Sequence, residues 1–346
     1  MVFPDIPGYQ SLLCDLHTHS VFSDGSVWPD IRVREALKDG LDVLSLTEHL
    51  EYQPHADDIP HPDRNRSYEL AREMAAEELL IVHGSEVTRG MPPGHLNAIF
   101  ITDANRLLVD DVTEALREAK RQGAFIFWNH PHSTGHQADG IARLTDMHRD
   151  LIADGLLNGI EVINDLTYSD EALQIALDHN LTILGTSDIH GLVDWRYEIP
   201  AGGHRPISIV FATERTESAL REALFAGRTI GWSQDLLVGK AELLSQLASA
   251  SLSTVAVNWM GRILELEITN NSSALYLLRN LSDETFHDSG DLVTLPALST
   301  TRLRLKVGDK EPPLEMEFEI LNAIAAPRTH PRFHLHIPAP LPAAIP

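Results

Sequence analysis

Cysteine is nearly absent from this 346-residue sequence, in which Cys14 is the single thiol. One cysteine cannot form an internal disulfide, and its position in the apolar run Leu12-Leu13-Cys14 predicts a buried core residue. Apolar runs are short, and no segment approaches the roughly 20 apolar residues that a membrane-spanning helix needs. The N-terminus also has no basic start followed by an apolar stretch. We therefore expect a cytoplasmic protein with no membrane partner.

Basic residues are also scarce, since 27 lysines and arginines face 50 aspartates and glutamates and leave a formal charge of −23. Three divalent ions would add six positive charges and still leave about −17, which disfavours contact with a long phosphate backbone. Extended nucleic-acid binding is therefore not expected. The composition, 43% hydrophobic and 22% charged, is that of a globular protein with a large core.

Up to about residue 235, short apolar runs alternate with amphipathic segments, which is typical of an α/β fold with a mainly parallel sheet. Eight strands are predicted, at 12–16, 41–46, 80–87, 96–101, 124–128, 159–163, 181–185 and 207–212. Helices are predicted near 29–39, 65–79, 111–122, 138–154, 169–179 and 216–226.

The pattern changes after residue 238. Residues 239–252 indicate a helical connector, and 253–337 alternate polar and apolar positions as in a β-sandwich. Residues 338–346 form a Pro/Ala tail that we expect to be extended. The β-rich domain could equally pack on the first domain, mediate homo-oligomerisation or cap a substrate pocket.

Histidines and carboxylates recur where predicted strands end. Residues two apart in a strand point to the same side, so His17 and His19 can bind one ion together, and Asp188 and His190 repeat that spacing. Glu48 and His49 are neighbours, so only one faces inward, and imidazole is the commoner ligand. In a closed α/β barrel the C-terminal strand ends share one rim. The sequence therefore predicts a polynuclear metal centre at that rim.

The order of these motifs resembles that of the polymerase-and-histidinol-phosphatase (PHP) metal-dependent phosphoesterases over residues 11–235. The matching motifs are His17-Thr18-His19-Ser20, Ser23-Asp24-Gly25, Thr47-Glu48-His49, Gly84-Ser85-Glu86-Val87, Gly94-His95-Leu96, Asn129-His130-Pro131 and Thr186-Ser187-Asp188-Ile189-His190. The resemblance implies a distorted (βα)7 TIM-like barrel, here followed by the smaller β-sandwich-like domain, with two or three divalent ions (Zn, Mn or Fe).

The resemblance also implies a ligand set. The first ion would be bound by His17, His19, Glu86 and Asp188, the second by Glu86, His95 and His130, and the third by Asp24, His49 and His190. The family usually has Asp where this chain has Glu48, which leaves the role of Glu48 open. Asp24 in Ser23-Asp24-Gly25 could instead be a turn residue, and His95 a plain loop histidine.

This ligand set predicts hydrolysis of a small phosphomonoester or nucleotide. A bridging carboxylate, for which Glu86 is suited, holds two ions about 3.5–4 Å apart and makes hydroxide available near neutral pH. Asp188 or His190 could assist the leaving oxygen if the third ion is absent. Arg205, in a Gly-rich loop before a strand, is the predicted phosphate ligand because of its bidentate guanidinium. Weaker candidates for that role are Arg64, Arg66 and Arg89.

Other titratable residues have simpler interpretations. Glu161 ends a strand near the same rim and could bind metal, although support of the ligands is the favoured interpretation. His83 lies on the opposite face of its strand and is expected to be packed. His148 and His179 fall on predicted helices and are expected to face solvent. Loop histidines, where substrate contact is possible, are His55, His61, His132, His136 and His204.

Three other activities compete for the same residues. They are a phosphodiesterase or exonuclease, an amidohydrolase-type enzyme, and a binding module that keeps metal for stability. Amidohydrolases commonly bridge their ions with a carboxylated lysine, whereas the only lysines of the predicted barrel, Lys38 and Lys120, fall on helices.

Overall fold

The structure, a computed structural model, describes residues 1–75, 77–310 and 313–339. These residues form two compact units, one of Tyr9–Gln234 and one of Met1–Gly8 together with the chain from Asp235 onward. The predicted boundary lay at residue 238, and the predicted connector 239–252 falls within the second unit. Of the predicted tail 338–346, all but residues 338 and 339 lie outside the described residues.

The first unit contains strands at each of the eight predicted positions and six of its seven helices at the predicted ones. The strands are β1 (Gln10–Asp15), β2 (Val43–Leu46), β3 (Leu80–Val87), β4 (Leu96–Ile99), β5 (Phe125–Trp128), β6 (Gly159–Asn164), β7 (Thr167–Tyr168), β8 (Thr182–Thr186), β9 (Ile207–Ala212) and β10 (Thr229–Ser233). The helices are α1 (Pro29–Asp39), α2 (Arg66–Met74), α3 (Val112–Gln122), α4 (Asp146–Ala153), α5 (Asp170–His179), α6 (Val193–Arg196) and α7 (Glu217–Phe225).

The strands form one curled sheet in the order β10-β9-β1-β2-β3-β4-β5-β6, with β7 and β8 both paired to β6. The pairs β1–β2, β2–β3, β5–β6 and β6–β8 are parallel. In contrast, β4 is antiparallel to both of its neighbours and β9 is antiparallel to β1. The predicted α/β fold, a distorted (βα)7 TIM-like barrel, is therefore confirmed, with β4, β9 and the two-residue β7 as reversed strands.

The curled sheet approaches closure where β8 meets β9 and β10. The Ser208 hydroxyl accepts a hydrogen bond from the Gly185 N–H (3.0 Å) and donates one to the Gly185 carbonyl (2.9 Å). A Cβ on Gly185 would lie 2.8 Å from the Ile207 carbonyl oxygen, so only glycine permits this approach of the backbones. Cys14 lies fully buried in the apolar core inside the curled sheet, as predicted.

Two helices are shorter than predicted. The segment predicted as a helix over 138–154 is helical only from Asp146, because the Thr145 hydroxyl accepts a hydrogen bond from the His148 N–H and caps the helix there. Upstream, Gly140 has φ +70°, outside the right-handed helical region. The helix predicted over 65–79 ends at Met74, where Ala75 is extended.

The second unit is built mainly from antiparallel strands. It contains β11 (Leu236–Gly239), α8 (Ala241–Ser251), β12 (Leu252–Met260), β13 (Ile263–Asn270), β14 (Tyr276–Asn280), β15 (Thr285–Phe286), β16 (Leu292–Leu295), β17 (Ser299–Lys306), β18 (Leu314–Ile320), β19 (Ala323–Ile324) and β20 (Arg332–Ile337). Two four-stranded sheets, β12-β13-β17-β15 and β16-β14-β18-β20, make up the predicted β-sandwich. One further pair, β11 with β19, is parallel. Burial alternates strictly along β13, as expected for a strand with one face toward a core.

Among the helices of the described residues, none combines the length and apolar character needed to span a membrane.

Candidate metal centre

The nine predicted metal ligands lie close together at one rim of the curled sheet. They come from loops that follow β1, β2, β5 and β8, from β3 itself, and from the residue before β4. Two isolated parallel bridges, Thr18 with Ile189 and His49 with Glu86, continue the strand pairing into these loops. Because the bridges align neighbouring strand ends, side chains that are far apart in sequence face a common centre.

His17, His19 and Asp188 form the most buried part of the cluster. Asp188 Oδ1 lies 3.2 Å from His17 Nε2 and 3.2 Å from His19 Nε2. The two Nε2 atoms are themselves 3.0 Å apart. Three donor atoms at these separations can share one ion, and the two-residue spacing of His17 and His19 favours that arrangement.

Glu86, at the end of β3, lies at the middle of the cluster and is fully buried. Its Oε1 atom is 3.0 Å from His95 Nδ1 and 3.7 Å from His130 Nε2. Its Oε2 atom is 2.6 Å from His49 Nδ1 and 3.6 Å from His19 Nε2. Each oxygen thus faces a different set of imidazoles, which is the arrangement that a bridging carboxylate requires.

Asp24 joins the cluster from the loop after β1. Its Oδ1 atom lies 3.0 Å from His190 Nε2, 3.5 Å from His49 Nε2 and 3.9 Å from His19 Nδ1. The rings of His19 and His190 stack at 4.2 Å. Asp24, His49 and His190 therefore lie together with His19 on one side of the centre.

Two of the ligands have an unusual backbone conformation. Asp188 has φ +50° and His130 has φ +31°, in the left-handed region that non-glycine residues rarely adopt. Hydrogen bonds hold both, since the Asp188 N–H donates to the His17 carbonyl (2.9 Å) and the His130 N–H to Glu161 Oε2 (2.6 Å). Strained residues that their surroundings enforce are concentrated at functional sites.

The carboxylates stay ionised in spite of their burial. Burial alone would raise the pKa of Glu86, but the charge of His49 and the nearby imidazoles of His130 and His17 lower it well below its usual range. Burial likewise disfavours a charged His49, yet Glu86 and Asp24 raise its pKa to about 10. The cluster without metal therefore holds protons on imidazoles, and divalent ions would replace those protons as the balancing positive charge.

Glu161, in the middle of β6, hydrogen-bonds two of the proposed ligands. Oε1 accepts hydrogen bonds from His17 Nδ1 (2.7 Å) and the Thr186 hydroxyl (2.6 Å). Oε2 accepts from the His130 N–H (2.6 Å) and Asn164 Nδ2 (2.9 Å). Contact with His17 Nδ1 leaves Nε2 as the ring nitrogen that faces the centre.

Glu48 points away from the centre, whereas its neighbour His49 faces it, as predicted. The Glu48 carboxylate accepts hydrogen bonds from the Ser20 N–H, the Ser20 hydroxyl and the Ser23 hydroxyl. Ser23 in turn lies 3.2 Å from His19 Nδ1. Glu48 thus stabilises the loop that carries Asp24, which gives the residue the role that the sequence left open.

The prediction that Arg205 binds phosphate is wrong. Its side chain is fully buried, with Nε donating to Asp39 Oδ2 (2.9 Å) and Nη1 to Asp15 Oδ2 (3.2 Å). Asp15 also accepts hydrogen bonds from the backbone and hydroxyl of Ser187, the residue before Asp188. A guanidinium enclosed in this way cannot reach a substrate and instead stabilises the rim from below.

The three weaker arginine candidates also have local partners. Arg64 Nε donates to the Leu50 carbonyl (3.0 Å), and Arg89 pairs with Glu51 (2.8 Å). The third, Arg66, pairs with Glu69 on the exposed face of α2. None of the three contacts the cluster in the part of the chain that the structure describes.

Three histidines outside the nine have environments that bear on the predictions. His83 stacks on Tyr68 at 4.1 Å, away from the centre, as predicted. The prediction that His148 faces solvent is wrong, because its ring is fully buried and stacks on Trp128 at 4.0 Å. Sequence reasoning assigned His136 no metal role, yet one of its ring nitrogens lies within 4.8 Å of ligand atoms on His95 and His130. Burial, together with the charges of those two neighbours, lowers the pKa of His136 to about 4.

Two cavities open beside the cluster and share Asp188. One, of about 350 Å³, is lined by His130 and His132. The other, of about 510 Å³, is lined by His190 and Trp195. Both volumes are in the range of small-molecule sites.

The donor atoms of the cluster fit divalent metal ions. Imidazole and carboxylate ligands suit zinc, iron and manganese, and no thiol is near. Glu86 Oε2, Asp24 Oδ1 and His130 Nδ1 are buried but make no hydrogen bond of ordinary geometry with the described residues. His49 Nδ1 lies 2.6 Å from Glu86 Oε2, so two atoms that could each bind an ion are in close contact. Buried polar atoms without hydrogen bonds are expected where an ion binds.

A family model described as an Ig-like domain matches residues 251–336. A two-domain protein from Bacteroides vulgatus that contains a predicted PHP-like metal-dependent phosphoesterase is 40% identical to this chain. Its match covers 97% of this chain and 98% of that chain with a TM-score of 0.91.

Two further solved structures are more distant. A candidate metal-dependent phosphoesterase from Bifidobacterium adolescentis is 20% identical, over 53% of this chain and 90% of that chain, with a TM-score of 0.40. An amidohydrolase from Chromobacterium violaceum is 17% identical, over 51% of this chain and 87% of that chain, with a TM-score of 0.37. No curated protein sequence matches this chain.

Proposed function

Because this chain belongs to the family of PHP-like metal-dependent phosphoesterases, we propose that it hydrolyses small phosphomonoesters, nucleotides included, at the rim cluster. The observation that carries the proposal is the convergence of eight imidazole and carboxylate ligands around the ninth, the buried Glu86. The proposed ligand sets are those of the sequence: His17, His19, Glu86 and Asp188; Glu86, His95 and His130; and Asp24, His49 and His190.

Divalent ions at these positions would supply Lewis-acid chemistry, activating water and neutralising charge on the phosphoryl oxygens. The protein's own contribution is to hold the ligands rigidly before the substrate arrives. Glu161 fixes the His17 ring, and the enforced backbone of Asp188 directs its carboxylate to both His17 and His19.

His190 is the proposed proton donor to the leaving oxygen when no third ion is bound. With 37% of its side chain exposed, it is the most accessible of the nine ligands, and it lines the larger cavity. Its Nδ1 lies 2.7 Å from the Asp188 carbonyl, which fixes the ring with Nε2 toward Asp24. Burial disfavours a charged ring, but Asp24 and Asp188 raise the pKa of His190, so it can carry a proton at neutral pH.

The cavities support a small substrate. Arg196, the one arginine of the larger cavity, is held by Asp165 through both carboxylate oxygens. With Arg205 enclosed, the substrate phosphate would be bound mainly by the metal centre. A chain with a charge of −23 and so few free cations near the site is poorly suited to a polymeric phosphate backbone.

The amidohydrolase alternative lacks its bridging lysine. Lys38 pairs with Asp194 (2.6 Å), and Lys120 donates to the Asp154 carbonyl (2.6 Å). Neither belongs to the cluster, whose central carboxylate is Glu86. A glutamate instead of a carboxylated lysine at the bridging position therefore favours phosphate ester hydrolysis over amidohydrolase chemistry.

The test is inorganic phosphate release from a panel of phosphomonoesters, nucleotides and short oligonucleotides, with protein loaded with Mn²⁺ or Zn²⁺. Glu86→Gln removes the charge of the bridge, and Glu73→Gln makes the same change on the exposed face of α2 as a matched control. We expect release that requires metal, that Glu86→Gln abolishes and that Glu73→Gln leaves unchanged. No release with either metal, or release that Glu86→Gln does not alter, would overturn the proposal.

A further inference from the structure

His136 meets two of the proposed metal ligands although it lies outside the nine. Its ring centroid is 4.5 Å from that of His95 and 5.0 Å from that of His130. The His95 and His130 rings are 5.1 Å apart. Imidazoles bound to one tetrahedral ion at about 2.1 Å have centroids roughly 5 Å apart, so the three rings have the spacing of a three-histidine site.

Successive turns in the loop after β5 bring His136 back to the rim. The Ser133 N–H donates to the His130 carbonyl (2.9 Å), and the His136 N–H donates to the Ser133 carbonyl (2.9 Å). A further bond from the Gln137 N–H to the Ser133 carbonyl (2.8 Å) completes the second turn. The position of His136 is thus set by the backbone, which reduces the ordering that ligand binding would require.

The His136 ring has no other hydrogen-bonding role to explain its position. Its Nδ1 atom is buried and makes no hydrogen bond with any described residue. His132, in the same loop, also has a buried Nδ1 atom without a hydrogen bond, but its Nε2 pairs with the Thr167 hydroxyl at 2.8 Å and its ring belongs to none of the ligand groups among the described residues. A buried imidazole nitrogen without a partner, beside two proposed ligands, indicates that an ion is the missing partner.

We propose that His136 is the fourth protein ligand of the second ion, together with Glu86, His95 and His130. This inference rests on the metal centre of the proposed function and extends it. Three imidazoles and one carboxylate would fill a tetrahedral shell, so this ion would be held entirely by the protein, and the activation of water would fall to the ions of the other two ligand sets, since catalytic ions keep an open position. The imidazole-rich shell selects zinc or ferrous iron over manganese.

The experiment compares metal binding by the full chain, His136→Ala and His132→Ala, the last as a control from the same loop. Proteins reconstituted with Zn²⁺ are freed of loose metal, and ions per chain and zinc affinity are measured. Outer partners of metal ligands are worth about 10–100-fold in affinity, so removing a direct ligand should weaken one zinc site by about 100-fold or more. His132→Ala should retain the wild-type content.

Two further measurements separate ligation from folding. Added imidazole should restore the lost ion in His136→Ala, because it can occupy the space of the removed ring, whereas it cannot repair a misfolded loop. Substitution with Co²⁺ should give the intense absorption of a tetrahedral ion in the wild type and lose that component in His136→Ala.

The outcomes distinguish this inference from the proposed function. If the wild type retains zinc and His136→Ala retains as many ions with the same affinity, the His136 assignment is refuted while the metal centre stands. Loss of an ion that imidazole does not restore would also refute it, because the loss would then reflect folding. If the wild type retains no ion at all, both the inference and the proposed function fail.

Discussion

Glu161→Gln should weaken metal binding without altering any proposed ligand. The Glu161 carboxylate accepts four hydrogen bonds, two at Oε1 from His17 and Thr186 and two at Oε2 from the His130 N–H and Asn164. Glutamine has nearly the same shape, but one of its two terminal groups is an NH₂ donor. Whichever way the amide is turned, at least one donor faces another donor, because the His17 Nδ1–H and the backbone N–H of His130 remain donors whereas the Thr186 hydroxyl can rotate to accept.

The magnitude follows from those lost bonds. Partners that orient metal ligands are worth about 10–100-fold in affinity, which is about 1.4–2.8 kcal/mol at 1.4 kcal/mol per tenfold change. Each buried donor left without an acceptor costs about 1–3 kcal/mol. With at least one such donor, the metal-free protein should lose about 1 kcal/mol or more of its free energy of unfolding.

Two assays check these numbers: chelator competition for zinc affinity, and urea unfolding of the metal-free protein. Glu73→Gln, on the exposed face of α2, is the control for loss of one negative charge. If Glu161→Gln binds zinc within twofold of the wild type and unfolds at the same urea concentration, the orienting role assigned to Glu161 is wrong. A stability loss with unchanged zinc affinity would refute only its effect on the ligands.

Three other perturbations test separate parts of the structure. Arg205→Met should lower the free energy of unfolding in urea by about 3–5 kcal/mol, because it removes the buried guanidinium that pairs with Asp15 and Asp39. Unchanged stability together with a raised KM for phosphate esters would instead support a role of Arg205 in binding phosphate. The folded pKa of His49, about 10, lies above its ordinary value of 6.5, so its stabilisation of the metal-free protein is complete below about pH 6.5 and disappears as the pH rises toward 10. Ions displace that proton, so zinc affinity should rise up to about tenfold per pH unit across this window for each proton released; calorimetry showing no proton release would contradict this. Trp195 is 81% exposed on the wall of the larger cavity and offers a stacking surface worth about 1 kcal/mol. Trp195→Ala should therefore raise the KM of esters with a flat leaving group about fivefold and leave kcat unchanged. An equal change in KM for aliphatic esters would refute stacking.

The sequence predicted those parts of the site that depend on strand period and strand ends. His17 and His19 share a side because they are two residues apart, and Glu86 faces the centre because β3 continues to its position. The direction of a side chain that is set by tertiary packing could not be predicted from the sequence. Arg205 does lie near the rim, because β9 runs antiparallel to β1, but its side chain turns beneath the rim to Asp15 and Asp39.

Loop conformation explains the remaining differences. His136 lies six residues after His130, a separation that has no periodic meaning outside a helix or strand, and two consecutive turns decide where its ring goes. His148 was placed on a helix that seemed to begin at residue 138, whereas the Thr145 cap begins it at Asp146. The ring then packs on Trp128, with Nε2 2.8 Å from the Pro93 carbonyl. Neither contact could be predicted from the spacing of residues in the sequence.

Two buried carboxylates outside the proposed ligand set make the centre rigid before ions bind. Glu161 holds His17 and the backbone of His130, while Glu48 holds the Ser20–Ser23 loop and acts on His19 through the Ser23 hydroxyl. They support different ligands, so loss of one should leave the ligands of the other in place. The longer side chain of Glu48 reaches Ser20 and Ser23 at once, which gives a structural reason for glutamate where the family usually has aspartate. Since the rings are already oriented, ion binding does not have to order them. Removing either carboxylate should therefore weaken metal affinity while the same residues still coordinate the ions.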